Sequence, residues 1–356
     1  MRIPRVSVKN SVEVIKKALD YGINYFETAP GYGDSEHKIG VAMRELDRSK
    51  LYLSTKSHPG TDKTPTELRN RLDESLKRLE TDYLDFYQLW GINTPEHYDV
   101  VFSPGGTLNA VRQAQKEGLI HHIGFTSHAN PSLIQKIMET KEFESATIIY
   151  HPYHRKNDPI LSKAEELSMG IIAIAPLSNG FLAHPTPEMT ADFAPYPVRE
   201  YSLQWLANFP QVTSIASGMK TMLELESNVQ SIESFVPFNK SQSDIADSLF
   251  HKLKNRVPTE YCSGCLDCLP CHKNINIPEL MRINMLFKGY NAEYYCKDRY
   301  KFTGNGGSWY PGVKADHCDA CGDCQPRCPE RLDIVPIIKK LHDLLYTGDR
   351  YPLSSL

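Results

Sequence analysis

Seven short runs rich in β-branched and aromatic residues, separated by segments of helical period, set the tightest limit on how this chain can fold. The runs are "INYFETA" (23–29), "LYLSTK" (51–56), "YLDFYQLW" (83–90), "HHIGFTS" (121–127), "ATIIYHPY" (146–153), "GIIAIAPL" (170–177) and "VTSIASG" (212–218). Between them, "SVEVIKKALDYG", "TPTELRNRLDESLKRLE", "TLNAVRQAQKEG" and "PSLIQKIMETKE" repeat apolar residues at i, i+3 and i+4. Strands joined through helices of this length pair in parallel by right-handed crossovers. Seven strands approach the eight of a (β/α)8 barrel. A doubly wound open sheet is the competitor, but no glycine-rich phosphate loop follows the first run. The expectation is a TIM-type α/β barrel over residues 1–235.

Composition narrows the class further. The 356 residues suit one large domain plus an appendage, and 40% hydrophobic content is enough for a real core. A net charge of −3 supplies no basic field for nucleic acid or an anionic membrane. No run of 18 apolar residues is present, and "MRIPRVSVKN" lacks an apolar signal core. The expectation is a cytoplasmic protein with neither nucleic acid nor membrane as partner.

In a parallel barrel the chemistry gathers at the C-terminal strand ends. Those ends carry Glu27 and Tyr32, then Lys56, Trp90, and Ser127 with His128. A tyrosine beside a lysine is a candidate proton donor, because a nearby cation lowers the phenol's pKa. A carboxylate would hold the amine charged and in place. The alternative is that Tyr32 is a surface loop residue and Lys56 a solvated strand end.

"NYFETAPGYGDSE", "LYLSTKS", "YLDFYQLWGIN", "HHIGFTSH", "APLSNG" and "SIASGMKTMLELESNV" follow one another in order. As a set, across about residues 10–230, they resemble the aldo/keto reductases. That resemblance implies a (β/α)8 barrel reducing a small carbonyl-type substrate with NADPH or NADH. It implies Tyr32 as the acid and Lys56 as its partner. It also exposes two departures from the family's Asp–Tyr–Lys–His tetrad: Glu27 stands where the family has Asp, and Trp90 where it has His. An indole donates one hydrogen bond and cannot relay a proton. Carried over by motif, the nicotinamide contact is Ser127 with His128, and Tyr150 takes the place of the family's Gln. Leu177 and Gly180 fall in the pyrophosphate segment, and Lys220 and Asn228 at the adenosine end. Lys220 suits the 2′-phosphate of NADP, while a solvated helix-start lysine is the plain alternative. The family's hairpin and first barrel strand have only "MRIPRV" to match them, so the barrel's first strand is expected to be missing.

All nine cysteines lie between 262 and 328, after a cysteine-free body. Without an export signal, tight C-x2-C repeats favour metal or cluster ligation over disulfides. Cys262, Cys265, Cys268 and Cys271 form one run. Cys318, Cys321, Cys324 and Cys328 form the second, C-x2-C-x2-C-x3-C-P, the spacing of bacterial ferredoxins, in which the fourth cysteine of each run serves the other cluster. The expected sets are Cys262, Cys265, Cys268 and Cys328 for one [4Fe–4S] cluster, and Cys318, Cys321, Cys324 and Cys271 for the other. Cys296 is left spare. Structural zinc, with paired knuckles, fits two triplets poorly. Helices over "IPELMRINMLFKGY" and "AEYYCKDRYKF" fill the 46 residues between the runs. The whole resembles the helical two-cluster ferredoxin module of some aldo/keto reductase relatives. His272 stands where such modules have Pro, and is read as a surface or neighbouring residue rather than a ligand. His151, His154, His121 and His122 are read as structural. The expected layout is a barrel to 235, a linker and docking helix at 236–257, an iron–sulfur domain at 258–340 and a tail at 341–356.

Two functions compete at this level. One is a nicotinamide-dependent oxidoreductase with two clusters. The other is an electron-transfer protein that docks a partner through a catalytically degenerate barrel. Nicotinamide delivers two electrons as hydride whereas each cluster accepts one, and no flavin site is visible to couple them.

Overall fold

The computed structural model describes residues 6–305 and 312–348. All of "MRIPRV" except Val6 lies outside the described residues. The chain divides into two compact units, Met1–Asn179 with Arg199–Phe238, and Gly180–Val198 with Asn239–Leu356.

The first unit is built on seven parallel strands whose spatial order is their chain order. They are β1 (Tyr25–Glu27), β2 (Tyr52–Ser57), β3 (Leu84–Leu89), β4 (Ile120–Ser127), β5 (Ser145–Ile149), β6 (Gly170–Ile174) and β7 (Val212–Ala216). All seven runs read from the sequence are strands. The sheet curls until residues of β1 and β7 come within 8 Å, yet no ladder joins them among the described residues. The result is a barrel-like α/β fold with one open seam. Between the strands run α1 (Val8–Asp20), α2 (Ser35–Met43), α3 (Pro65–Leu79), α4 (Pro95–Phe102), α5 (Thr107–Lys116), α6 (Pro131–Glu139) and α7 (Asp158–Glu166). After β6 come α8 (Pro187–Phe193), which belongs to the second unit, then α9 (Val198–Ala207) and α10 (Met222–Glu233).

Local chemistry explains these boundaries. Thr64 and Thr221 open α3 and α10 with reciprocal capping boxes to Glu67 and Glu224, each worth about 1 kcal/mol. Inside the barrel a polar thread crosses three strands. Gln88 donates to Ser54 Oγ at 2.9 Å and accepts from Thr147 Oγ1 at 2.6 Å. Gly124 pairs with Gln88 in the ladder, and any Cβ there would press on Ser145 Oγ and approach the Gln88 side chain. The register Glu27↔Ser54 and Lys56↔Gln88 puts Glu27, Lys56 and Gln88 on the same inward face.

The second unit is mainly helical: α8, α11 (Lys240–Arg256), α12 (Ile277–Tyr290), α13 (Glu293–Phe302) and α14 (Ile334–Leu345). Helix α12 is its spine, burying Leu280, Met281, Ile283 and Tyr290 among its neighbours. Buried Asp192 in α8 ties three helices together. Arg256 pairs with it through both Nη atoms, Tyr290 donates its hydroxyl at 2.9 Å, and Lys252 Nζ donates to its carbonyl at 2.8 Å. The Gly180–Val198 segment thus groups with α11 and α12, although it falls within the 1–235 range expected for the barrel.

Helices α2 and α3 cross at Gly40, where a Cβ would collide with the Arg78 carbonyl oxygen and lie 3.2 Å from the Leu79 carbonyl carbon. The same crossing carries the buried Glu36 carboxylate, which accepts from Arg78 Nε and Thr55 Oγ1 at 2.7 Å each. Alanine gains about 1 kcal/mol in helix propensity, but backbone overpacking costs up to about 3 kcal/mol. Gly40→Ala is therefore expected to lower the melting temperature by roughly 4–8 °C, read by thermal unfolding monitored by circular dichroism. An unchanged or raised melting temperature would contradict this packing.

Candidate active site and cysteine cavities

The inward face of β1–β3 ends in a charged and aromatic group. Lys56 is 2% exposed, and its ammonium contacts the Glu27 carboxylate directly. Lys56 Nζ lies 4.9 Å from the Tyr32 ring centre and 5.6 Å from that of Trp90. Tyr32 and Trp90 meet edge to face, with ring centres 5.8 Å apart. Burial pulls the Lys56 ammonium down to about 7, and the touching Glu27 carboxylate is an opposite charge, which favours the ammonium. Glu27, Tyr32, Lys56 and Trp90 are therefore brought together, with a cation beside the phenol. Gly31 must lack a side chain, since a Cβ there would sit 2.8 Å from Trp90 Cη2.

Three further residues join this group without having been singled out in the sequence. His58, one inward position beyond Lys56, meets Trp90 edge-on at 5.6 Å and His97 at 5.2 Å. Its Nδ1 accepts from the Gly60 amide at 2.9 Å, and burial followed by His97 lowers its pKa to about 4. Asn93 accepts the His128 amide on its Oδ1 at 2.7 Å. The signal available for His58 was its parity with Lys56; His97 and Asn93 depend on how the chain turns after β3.

The residues expected around a cofactor divide into two groups. His128 is half-buried and lowered to about 4, first by burial and then by the charges of Lys156 and Lys56, which places it in the field of the site. Ser127 is buried, but its hydroxyl donates to Ile92 O at 2.7 Å and accepts from the Ala129 amide at 3.1 Å, so it closes loops. Tyr150 turns away from the interior. It packs on Trp205 and Phe209, gives its hydroxyl to Asp158 at 2.8 Å, and burial with that carboxylate raises its pKa. Half-buried Leu177 lies in a strained loop, where Ala175, Ser178 and Asn179 all hold φ near +50° and Gly180 takes +103°. Lys220 is exposed just before α10, whose Glu224 accepts the Lys220 amide at 2.6 Å; Asn228 donates to Ser217 Oγ at 3.1 Å. His151 and His154 face each other across a single β-bridge, and His122 pairs with Glu144.

Eight of the nine cysteines, none of them in a disulfide, line two cavities of the second unit. One is lined by Cys262, Cys265, Cys268 and Cys328, the other by Cys271, Cys318, Cys321 and Cys324. Each cavity combines three thiols of one run with the fourth of the other. Burial, then the neighbouring Cys262 and Cys265, pushes the Cys268 thiol up to about 12. Burial also raises Cys262 and Cys324. Four thiols gathered in one cavity are chemically suited to ligate a metal ion or cluster. Cys296 belongs to neither cavity: it is fully buried and its thiol donates to Ile283 O. Exposed His272 donates to Asp319 at 2.8 Å with its other nitrogen 3.7 Å from Cys321 Sγ, and these three could also hold a metal ion.

A curled parallel sheet with tyrosine, lysine and carboxylate at its C-terminal rim defines an α/β-barrel oxidoreductase. The family model for the aldo/keto reductase family matches residues 2–196, over half of the 356-residue chain, and this protein belongs to that family. It is 26% identical to the uncharacterized oxidoreductase YqkF of Bacillus subtilis over 62% of this chain and 81% of that one. It is 25% identical to L-glyceraldehyde 3-phosphate reductase of Escherichia coli K12, over 65% of this chain and 81% of the relative. Among solved structures, aldo-keto reductase AKR11C1 from Bacillus halodurans in its holo form superposes with a TM-score of 0.59 at 24% identity, covering 68% of this chain and 88% of that one. An aldo-keto reductase from Klebsiella pneumoniae in complex with NADPH gives 0.57 at 21%, over 68% and 85%. The matched 2–196 segment ends before the first cysteine. No helix of the described residues is long and apolar enough to cross a membrane.

Glu27→Gln removes the carboxylate that favours charged Lys56. The contact with an opposite charge favours the ammonium by roughly 1 pH unit or more, so without it the cation beside Tyr32 is lost at lower pH. The alkaline limb of the turnover-against-pH profile is expected to move to lower pH by that amount. A limb that stays in place would remove Glu27 from this role.

Proposed function

We propose that this protein is a cytoplasmic NADPH- or NADH-dependent reductase of a small carbonyl-type substrate, and that its cysteine-rich unit, over about 258–340, holds two [4Fe–4S] clusters. The observation that carries the first half is the buried Glu27–Lys56 pair beside Tyr32. Tyr32 is then the acid that protonates the carbonyl oxygen, Lys56 lowers its pKa, and Glu27 holds Lys56. Trp90 and His58 wall the pocket where the family has an imidazole, so orientation of the carbonyl rests on an indole N–H or on neutral histidine. The cofactor is read as lying with its nicotinamide near His128 and Asn93, its pyrophosphate at the loop of Leu177 and Gly180, and its adenosine end at Lys220 and Asn228.

The observation that carries the second half is the sorting of eight thiols into two sets of four across the runs. The residues fit such a group in two respects. Each cavity brings four thiols of ligating chemistry together, with its third cysteine, Cys268 or Cys324, buried, and the second cysteine of each run is flanked by left-handed residues, Gly264 and Leu266 around Cys265, Ala320 and Gly322 around Cys321. Such turns direct backbone amides toward bound anionic groups. Bound clusters supply one-electron storage, used either with a partner protein or for structure alone. A second reading, an electron-transfer protein with a degenerate barrel, is favoured by Ser127 and Tyr150, whose polar atoms are already committed within the fold.

Oxygen-free purification with iron and sulfide analysis is expected to give about eight of each per chain; a colourless, iron-free protein would end the cluster reading. NADPH and NADH titrations followed by fluorescence separate the two functions, and binding of neither would sink the reductase. Where cofactor binds, Tyr32→Phe should abolish carbonyl reduction, at least about 100-fold, with cofactor affinity nearly unchanged. Wild-type turnover in that variant would take Tyr32 out of the reaction.

A further inference from the structure

The two cysteine runs are nearly copies of one another. In both, the residues either side of the second cysteine take positive φ, at +75° and +74° around Cys265 and +61° and +82° around Cys321. In both, the second cysteine is exposed and the third is buried. They differ in the last gap: "CLPC" closes the first run, whereas "CQPRC" closes the second. The added residue is Arg327.

Its guanidinium reaches across to the first run. Nη2 donates to Cys268 O at 3.1 Å and Pro270 O at 3.2 Å, and Nη1 donates to Leu269 O at 3.1 Å. Nε turns back to its own run and donates to Asp323 O at 2.9 Å. Four carbonyls therefore converge on one planar cation. Cys268 is itself a bonded residue, while Pro270 and Asp323 immediately precede Cys271 and Cys324, and Arg327 immediately precedes Cys328. One side chain thus touches or adjoins two cysteines of each cavity, although it lines only the cavity of Cys271, Cys318, Cys321 and Cys324. Four carbonyls exceed the three donors of a lysine ammonium, whereas the five-donor planar fork meets them together.

We infer that Arg327 is the positioning residue that locks the two cysteine runs in register, so that each cavity receives its fourth thiol from the opposite run. The clamp is a property of the polypeptide; its consequence for iron rests on the cluster reading above. Without the fork, both exchanged ligands, Cys271 and Cys328, lose their placement together.

The test compares the full-length wild-type chain with R327Q and R327K, purified without oxygen. Amide exchange over residues 262–271, measured by mass spectrometry on protein with and without metal, is expected to be at least tenfold faster in R327Q, with R327K between the two. Iron per chain is expected to fall at least twofold in R327Q, and the magnetic interaction between the two reduced clusters, read by electron paramagnetic resonance, to weaken with it. Wild-type exchange in R327Q overturns the clamp. Iron loss confined to the cavity that Arg327 lines, with the other centre's signal intact, overturns the shared register. Iron-free wild-type protein defeats the cluster reading alone, since the exchange comparison still decides the clamp.

Discussion

Every strand of the sheet runs the same way, and that single constraint assembles the site. Parallel pairing in chain order sends the C-terminal ends of β1, β2, β3 and β4 to one rim, so residues distant in sequence become neighbours. The two-residue period of the strands then decides which side chains enter. Glu27, Lys56 and, one step past β3, Trp90 share the inward parity of Gln88. Once Lys56 is carried inside, water no longer stabilises its charge, and the Glu27 carboxylate becomes the group that keeps an ammonium there. The electrostatics of the rim therefore follow from strand direction and register before any substrate is considered.

The second unit solves a different problem. It gathers four thiols into each of two cavities, and a set of four held close together needs a rigid frame. The frame comes from α12 and its neighbours together with turns in left-handed conformation. Leu266 and Ala320 occupy that region without being glycine, which costs of order 1 kcal/mol each. A loop retains such residues when its path is fixed by what it surrounds. On the reading proposed here, what it surrounds is a cluster.

Much of this was legible in the residues. The seven strands were readable because alternation and helical period are local signals. The grouping of the cysteines was expected from their C-x2-C-x2-C spacing, and the two cavities are lined by the same eight residues in the same two sets. Tyr150 shows where motif alignment loses to the pleat. Thr147 points inward to Gln88, so Tyr150, three positions on, shares the outward face of Ala146 and Ile148 and meets Trp205 of α9. Ser127 likewise shares the parity of Phe125, and its hydroxyl is taken up by backbone. Asn93 and His97 were invisible because their positions depend on loop closure after β3. Arg327 was present as a spacing difference between two otherwise similar runs, but its meaning required the carbonyls it reaches.

The route of the chain has a consequence for where the protein can be cut into fragments. It leaves the first unit after Asn179, contributes α8 to the second, returns at Arg199, and departs again after Phe238. Asp192, held by Arg256 and Tyr290, is the anchor of that excursion. The cysteine-bearing unit is consequently built from two separate stretches of chain rather than from one C-terminal tail. A fragment beginning at 239 would carry Arg256 and Tyr290 without the carboxylate they enclose. The first unit, cut at the same point, would keep the Gly180–Val198 segment without the two helices that hold Asp192.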